Sequence, residues 1–226
     1  MHEEGGVGPG PGEEWAGDWR PVALSELLDV ALDRADPDGR PRILAIDGRS
    51  GNGKTTLTER LLRLVPRSAV VHVDDVSWHH SMFDWSAAMV DGVLRPLHEG
   101  RAVHCRPPGW EAKGRAGWID VPAGLDLVII EGVGSGRFDL EPWRDGLIWV
   151  QSDYREAERR GIARDIDLGV NGDPSESAAF WQSWMDAEVP FLEAERPWDR
   201  AAVVVCGTPK VAVAHDEVLA VVRRSA

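Results

Sequence analysis

Cysteine is almost absent from this 226-residue chain, which contains only Cys105 and Cys206. Widely separated, they match no metal-ligand or disulfide spacing, and a reducing cytoplasm is the compartment expected for such a chain. No apolar run approaches the roughly 20 residues needed to cross a bilayer, so no membrane partner is expected. The N-terminal MHEEGGVGPG lacks the basic and apolar parts of a secretory signal. Basic charge is also short, with 25 Lys and Arg against 38 Asp and Glu and a net charge of −13. That balance argues against a groove built to neutralise nucleic-acid phosphates, and no nucleic-acid partner is expected. What remains is ordinary globular material, 43% hydrophobic and 28% charged. It suffices for one large domain with a normal core.

Residues 1–20 are rich in Gly, Pro and Glu and carry Trp15 and Trp19. Such a stretch buries little, and it is expected to be a flexible N-terminal tail ahead of a folded domain over 21–226. Leu24, Leu27, Leu28, Ala31 and Leu32 then follow the helical template. Asp36-Pro37-Asp38-Gly39 ends that helix with turn chemistry. Beyond it, Arg42–Asp47, Ala69–Asp74, Asp126–Glu131, Gly146–Val150 and Ala201–Cys206 read as buried strands. Their apolar runs are continuous, as in a parallel sheet covered on both faces. Helical patterns fall between them at Lys54–Val65, Ala87–Glu99, Arg155–Asp165 and Glu176–Glu195, and a last one is expected over Asp216–Arg224. This alternation predicts an α/β fold with a central parallel sheet of about five strands flanked by helices. The segment 102–123, with its prolines, glycines and tryptophans, breaks the rhythm as an irregular or lid-like insertion.

The strongest local signal is Gly48-Arg49-Ser50-Gly51-Asn52-Gly53-Lys54-Thr55, followed by Thr56. It matches G-x-x-x-x-G-K-[ST] with a predicted strand before it and a predicted helix after it. Glycines let the backbone wrap phosphates and turn its N–H groups inward, and the helix N-terminus adds partial positive charge. Lys54 can reach the outer phosphates, and the Thr55 hydroxyl can ligate magnesium. The loop therefore predicts a nucleoside triphosphate site with ATP and Mg2+ as cofactors. A GTPase-type Asn-Lys-x-Asp and a transporter-type Leu-Ser-Gly-Gly-Gln are both missing.

Ligands of open α/β sheets sit beyond the carboxyl ends of the strands. Asp74 and Asp75 fall at such an end, where a carboxylate can accept a hydroxyl proton, help position magnesium or cap a helix. Glu131 closes another buried strand, in LVIIEG, and suits a magnesium ligand held directly or through water. His72, His79 and His80 find no Cys or further His to complete a zinc set.

The loop with its preceding Asp47, the strand ending in Asp74-Asp75 and the strand ending in Glu131-Gly132 together resemble the uridine kinase and phosphoribulokinase group of P-loop kinases. The resemblance covers residues 43–208 and implies the three-layer P-loop NTPase fold. It places the catalytic base on Asp74, where relatives carry Asp-Ser-Phe-Tyr and this chain has Asp74-Asp75-Val76-Ser77. Arg155, Arg159, Arg160 and Arg164 recur at helical spacing; the segment resembles the arginine lid of these kinases. A lid-like helix over about 154–168 is implied, with Arg160 and Arg164 leading. Phe83-Asp84-Trp85 and Arg106-Pro-Pro-Gly-Trp110 stand where relatives meet the acceptor, which nominates Asp84, Arg106 and Trp110, with Lys113 nearby. Asp75 and Glu131 join them as substrate contacts. Trp181, Trp184 and Glu188 share one helix face, expected to pack beside the acceptor pocket.

The expected activity is ATP-dependent phosphoryl transfer to a hydroxyl of a small molecule, with a uridine- or cytidine-like nucleoside leading. A kinase for another hydroxylated metabolite or antibiotic is the first alternative. A regulatory P-loop ATPase without an acceptor is the second, and homo-oligomers are compatible with either.

Overall fold

The computed structural model describes residues 8–33 and 37–223. In chain order, β1 (Arg20–Ala23) leads into α1 (Leu24–Ala31), then β2 (Arg42–Gly48), α2 (Lys54–Leu64) and β3 (Ser68–His72). Next come short α3 (Val73–Ser77) and a helical run of α4 (Ser86–Met89), a π-helical turn Val90–Leu94 and α5 (Arg95–His98). Pro96, which has no N–H to donate, lies in the turn that follows the π segment. β4 (Val103–Cys105), α6 (Pro108–Lys113) and β5 (Ile119–Val121) form the insertion. β6 (Leu127–Glu131), β7 (Gly146–Gln151), α7 (Tyr154–Leu168), α8 (Pro174–Glu195), α9 (Pro197–Arg200), β8 (Val203–Cys206) and β9 (Glu217–Val222) complete the chain.

The main sheet has seven strands in the order β1-β9-β8-β7-β2-β6-β3. The five from β8 to β3 run parallel, and they are the five strands that the apolar runs predict. The expected count is corrected by two. β9 lies antiparallel on β8, and β1 lies antiparallel on β9. The helix expected over 216–224 is thus a strand. Val218, Val221 and Val222 fit a pleat, and the free edge of β8 supplies hydrogen-bond partners that a lone apolar run cannot announce. Arg224 lies outside the described residues, as do Asp36 of the turn after α1 and residues 1–7 of the tail.

Every residue of β6 is buried, as its continuous apolar run predicts for a central strand. One face is covered by α1 and α2 through Leu24, Leu27, Leu57 and Leu61. The other is covered by the α3–α5 region around Trp85, Met89 and Leu97 and by Leu192 and Trp198. The expected flexible tail is docked from residue 8 onward. Glu13 is ion-paired with Arg49, while Ala16 and Trp19 pack against the Trp149 and Trp198 cluster. Its composition offers little apolar surface, but one buried carboxylate anchors it.

Candidate active site

The phosphate loop joins β2 to α2, and its shape is set by residues that point away from its mouth. Asn52 is buried and donates from Nδ2 to the Val150 carbonyl at 2.7 Å, tying the loop to β7. Gly51 adopts φ +77°, and a Cβ there would lie 2.0 Å from the Ala157 carbonyl oxygen, so glycine alone fits. Lys54 is buried and donates to the carbonyls of Gly48 at 2.8 Å and Arg49 at 3.0 Å. Asp47, fully buried behind the loop, accepts N–H bonds from Gly48, Gly134 and Gly136. Burial nevertheless raises its carboxyl to about 6, against the lowering effect of those N–H groups and Lys54. It thereby joins the phosphate loop to the glycine-rich loop after β6.

A cavity of ≈ 1080 Å3 opens in front of the loop, lined by Ser50, Gly51, Gly53, Lys54, Thr55 and Thr56. Asp74 and Asp75 border it, as do Glu131, Arg160 and Arg164. Segments far apart in sequence therefore converge, because the parallel strands all end on this side. Asp74 is in the first turn of α3, not on the strand as expected, since β3 ends at His72. Acidic side chains in a first helical turn are favoured by the backbone dipoles. Asp74 is open to the cavity, and the protein around it pushes its carboxyl above the ordinary range. Glu131 adds to that rise, while Lys54, Arg164 and His72 oppose it.

Glu131 is held in the opposite sense. Burial would raise it, but the His72 hydrogen bond, Lys54 and the Thr55 hydroxyl outweigh burial and keep it ionised below its usual range. His72 Nδ1 lies 2.6 Å from Glu131 Oε2, and the two residues are register partners on β3 and β6. Sequence reasoning considered His72 only for an incomplete metal set. Its real partner could have been found only by pairing the two strands.

The donor set of Thr55 and Glu131 consists of oxygens, which suits a hard cation such as magnesium. Among the described residues no group of three or more His, Cys, Asp or Glu side chains is placed to hold a metal by itself. Magnesium bound to phosphates needs only one or two protein oxygens.

On α7, Arg160 and Arg164 line the cavity. Arg160 donates to Glu156 Oε1 at 2.8 Å and to the Gly207 carbonyl at 2.9 Å. Arg164 is parked on Asp165, at 2.7 and 2.9 Å. Arg159 pairs with Glu156 outside the cavity. Trp181 and Trp184 of α8 also line the cavity, with Phe180, Trp78 and His79, and Trp181 is largely buried against Gly161 of α7.

The acceptor residues nominated from sequence are not brought together. Trp110 is buried, donating from Nε1 to the Asp75 carbonyl at 2.8 Å and lying under Arg115. It is a packing residue and not an open stacking platform. Arg106 donates to the Arg115 carbonyl at 2.7 Å within the insertion and does not line the cavity. Asp84 is exposed on the loop before α4 and is also outside the lining. Asp75 does border the cavity, but its carboxylate is engaged by Arg115 at 2.7 Å. The insertion thus braces α3, which carries Asp74. Sequence alone cannot separate a tryptophan that braces a loop from one that stacks on a ligand.

This geometry defines a P-loop fold of the kinase type. The comparisons with solved structures agree on the fold. A protein provisionally named a fructose transport system kinase, from Silicibacter sp. TM1040, superposes with a TM-score of 0.55 at 21% identity, covering 77% of this chain and 95% of that one. A provisionally named uridine kinase from Bacillus stearothermophilus superposes with a TM-score of 0.52 at 20% identity, covering 80% and 96%. In sequence, the chain is 28% identical over 141 residues to inorganic pyrophosphatase TTM2 of Arabidopsis thaliana. That match takes in 55% of this chain and only 20% of the relative, so the chain spans about one fifth of that protein's length. No family model matches the chain.

Proposed function

We propose that the protein is an ATP-dependent kinase that transfers the γ-phosphoryl group to a hydroxyl of a small organic acceptor. The observation that carries the reading is the convergence of Lys54, Asp74, Glu131 and Arg164 on one cavity. Thr55 and Glu131 would hold magnesium, which would supply charge neutralisation on the phosphates. The loop amides and Lys54 bind and orient the nucleotide. Asp74 accepts the proton of the acceptor hydroxyl, and its raised carboxyl makes it a stronger base than a free aspartate. Arg164, leaving Asp165, meets charge on the transferring group. Positioning and charge stabilisation account for most catalysis of this kind.

A uridine- or cytidine-like nucleoside is the leading acceptor. The half-buried Trp78 and Trp184 in the cavity wall support a ring-bearing substrate. The name of the Arabidopsis relative points to phosphoanhydride cleavage, and this aromatic wall favours an organic acceptor over water. The test is ADP release from ATP and magnesium across nucleosides, sugars and hydroxylated natural products. Acceptor-dependent release that Asp74→Asn abolishes supports the kinase. Acceptor-independent hydrolysis that is indifferent to the whole panel would sink it in favour of the regulatory ATPase.

A further inference from the structure

Behind the phosphate loop lies a buried charge cluster that the proposed chemistry does not use. Arg49, a loop residue, is 2% exposed in its side chain, and Glu13 of the docked N-terminal segment is 1% exposed. Arg49 Nε donates to Glu13 Oε1 at 2.6 Å, and Nη2 donates to the Pro11 carbonyl at 2.5 Å. Glu13 Oε2 accepts from Trp149 Nε1 at 2.8 Å and from Gln151 Nε2 at 3.0 Å. Gln151 also bonds the Glu14 carbonyl and the Ala16 N–H. The fit is close, since a Cβ on Gly10 would lie 2.0 Å from Arg49 Nε. On its far side Arg49 faces Glu188 of α8 at 3.8 Å. Glu188 Oε2 accepts the Ser50 N–H at 3.1 Å and Trp184 Nε1 at 2.8 Å.

The node therefore links three parts of the molecule. The N-terminal segment holds the Arg49 side chain, the Arg49 carbonyl receives Lys54, and Glu188 joins Ser50 to the tryptophan wall of the cavity. Burying three charged side chains costs free energy unless each is paired and bonded. Breaking the Glu13–Arg49 pair would leave the buried guanidinium with Glu188 at 3.8 Å as its one carboxylate partner among the described residues and would loosen the loop that carries it.

We propose that Glu13 is a positioning residue for the nucleotide: through Arg49 it fixes the phosphate loop, so that docking of residues 8–19 and binding of ATP·Mg are thermodynamically coupled. The inference rests on the reading of this loop as a nucleotide site. Coupling between sites is reciprocal, so it is measurable from either end.

The experiment uses the full chain. Calorimetric titration with ATP·Mg compares wild type with Glu13→Gln and with Gln151→Met, which removes segment contacts while leaving both charges. Coupling of ordinary size predicts Kd values weakened by about 3- to 30-fold in folded variants. Hydrogen exchange on wild type supplies a second readout that needs no substitution. Amides of residues 10–16 should exchange more slowly once the nucleotide saturates. Folded variants with Kd within twofold of wild type, or exchange of 10–16 unmoved by nucleotide, overturn the proposal while leaving the nucleotide site intact. Wild type that fails to bind ATP·Mg overturns the site reading itself, and the proposal with it.

Discussion

Asp74 and Glu131 both lie in the field of Lys54, yet their surroundings drive them apart. Asp74 is raised because protein mass around it outweighs the nearby cations; Glu131 is lowered because His72 and Thr55 bond its charged form. Opposed titration of neighbouring carboxyls separates a proton acceptor from a permanent anion. Replacing Asp74 by Asn should cut acceptor-dependent turnover by roughly 10²–10⁴-fold, the usual share of a general base. ATP·Mg affinity measured by calorimetry should be retained. The acid limb of the wild-type rate profile should sit above the ordinary carboxylate range, and a limb at ordinary values would remove Asp74 from the base role. The His72–Glu131 pair makes a separate prediction for stability. His72 is raised by Glu131, so its contribution is complete below about 6.5, its value in the unfolded chain, and is lost as pH rises through the higher folded value. Glu131's contribution is present above its unfolded value and is lost as pH falls through its lower folded one. Urea unfolding of wild type against His72→Gln should show the largest gap between those limits, shrinking at pH 9.

At the scale of elements, the α7–α8 hairpin decides which arginines matter. Periodicity makes α7 legible, and Asp153 caps it by accepting the Glu156 N–H. α8 begins with a capping box on Asp173 and Glu176. Which face of α7 meets the cavity is set by Gly161, where a Cβ would lie 2.0 Å from the Trp181 ring. That close approach turns Arg160 and Arg164 inward and leaves Arg159 outside. Arg164→Gln should lower kcat by about 10²-fold, as loss of one charge-stabilising donor does, while Arg159→Gln leaves it near wild type. Gly161→Ala should force the helices apart at a cost of about 1–3 kcal/mol, read by urea denaturation. The insertion was less legible. Its tryptophans and arginines look like ligand contacts in sequence, and Trp110 and Arg115 turn out to clamp Asp75 and hence α3.

At the scale of the whole molecule, ligand linkage offers a direct check. ATP·Mg at 100 times its Kd should stabilise the fold by about 2.7 kcal/mol, raising Tm by roughly 5–10 °C for a chain of this length. Thermal scans with and without nucleotide read it. By itself the sequence determined the parallel core, the phosphate loop and the arginine helix. Continuous apolar runs, glycine spacing and the 3.6-residue period are local signals, and each is written within a dozen neighbouring residues. Tertiary structure alone decided the rest. β9 became a strand because β8 offered an edge, His72 met Glu131 through the register of β3 and β6, and Glu13 found Arg49 because the N-terminal segment folds back behind β7. Each depends on groups brought together across long stretches of chain. Pairing energies of that kind exist only once the sheet has formed.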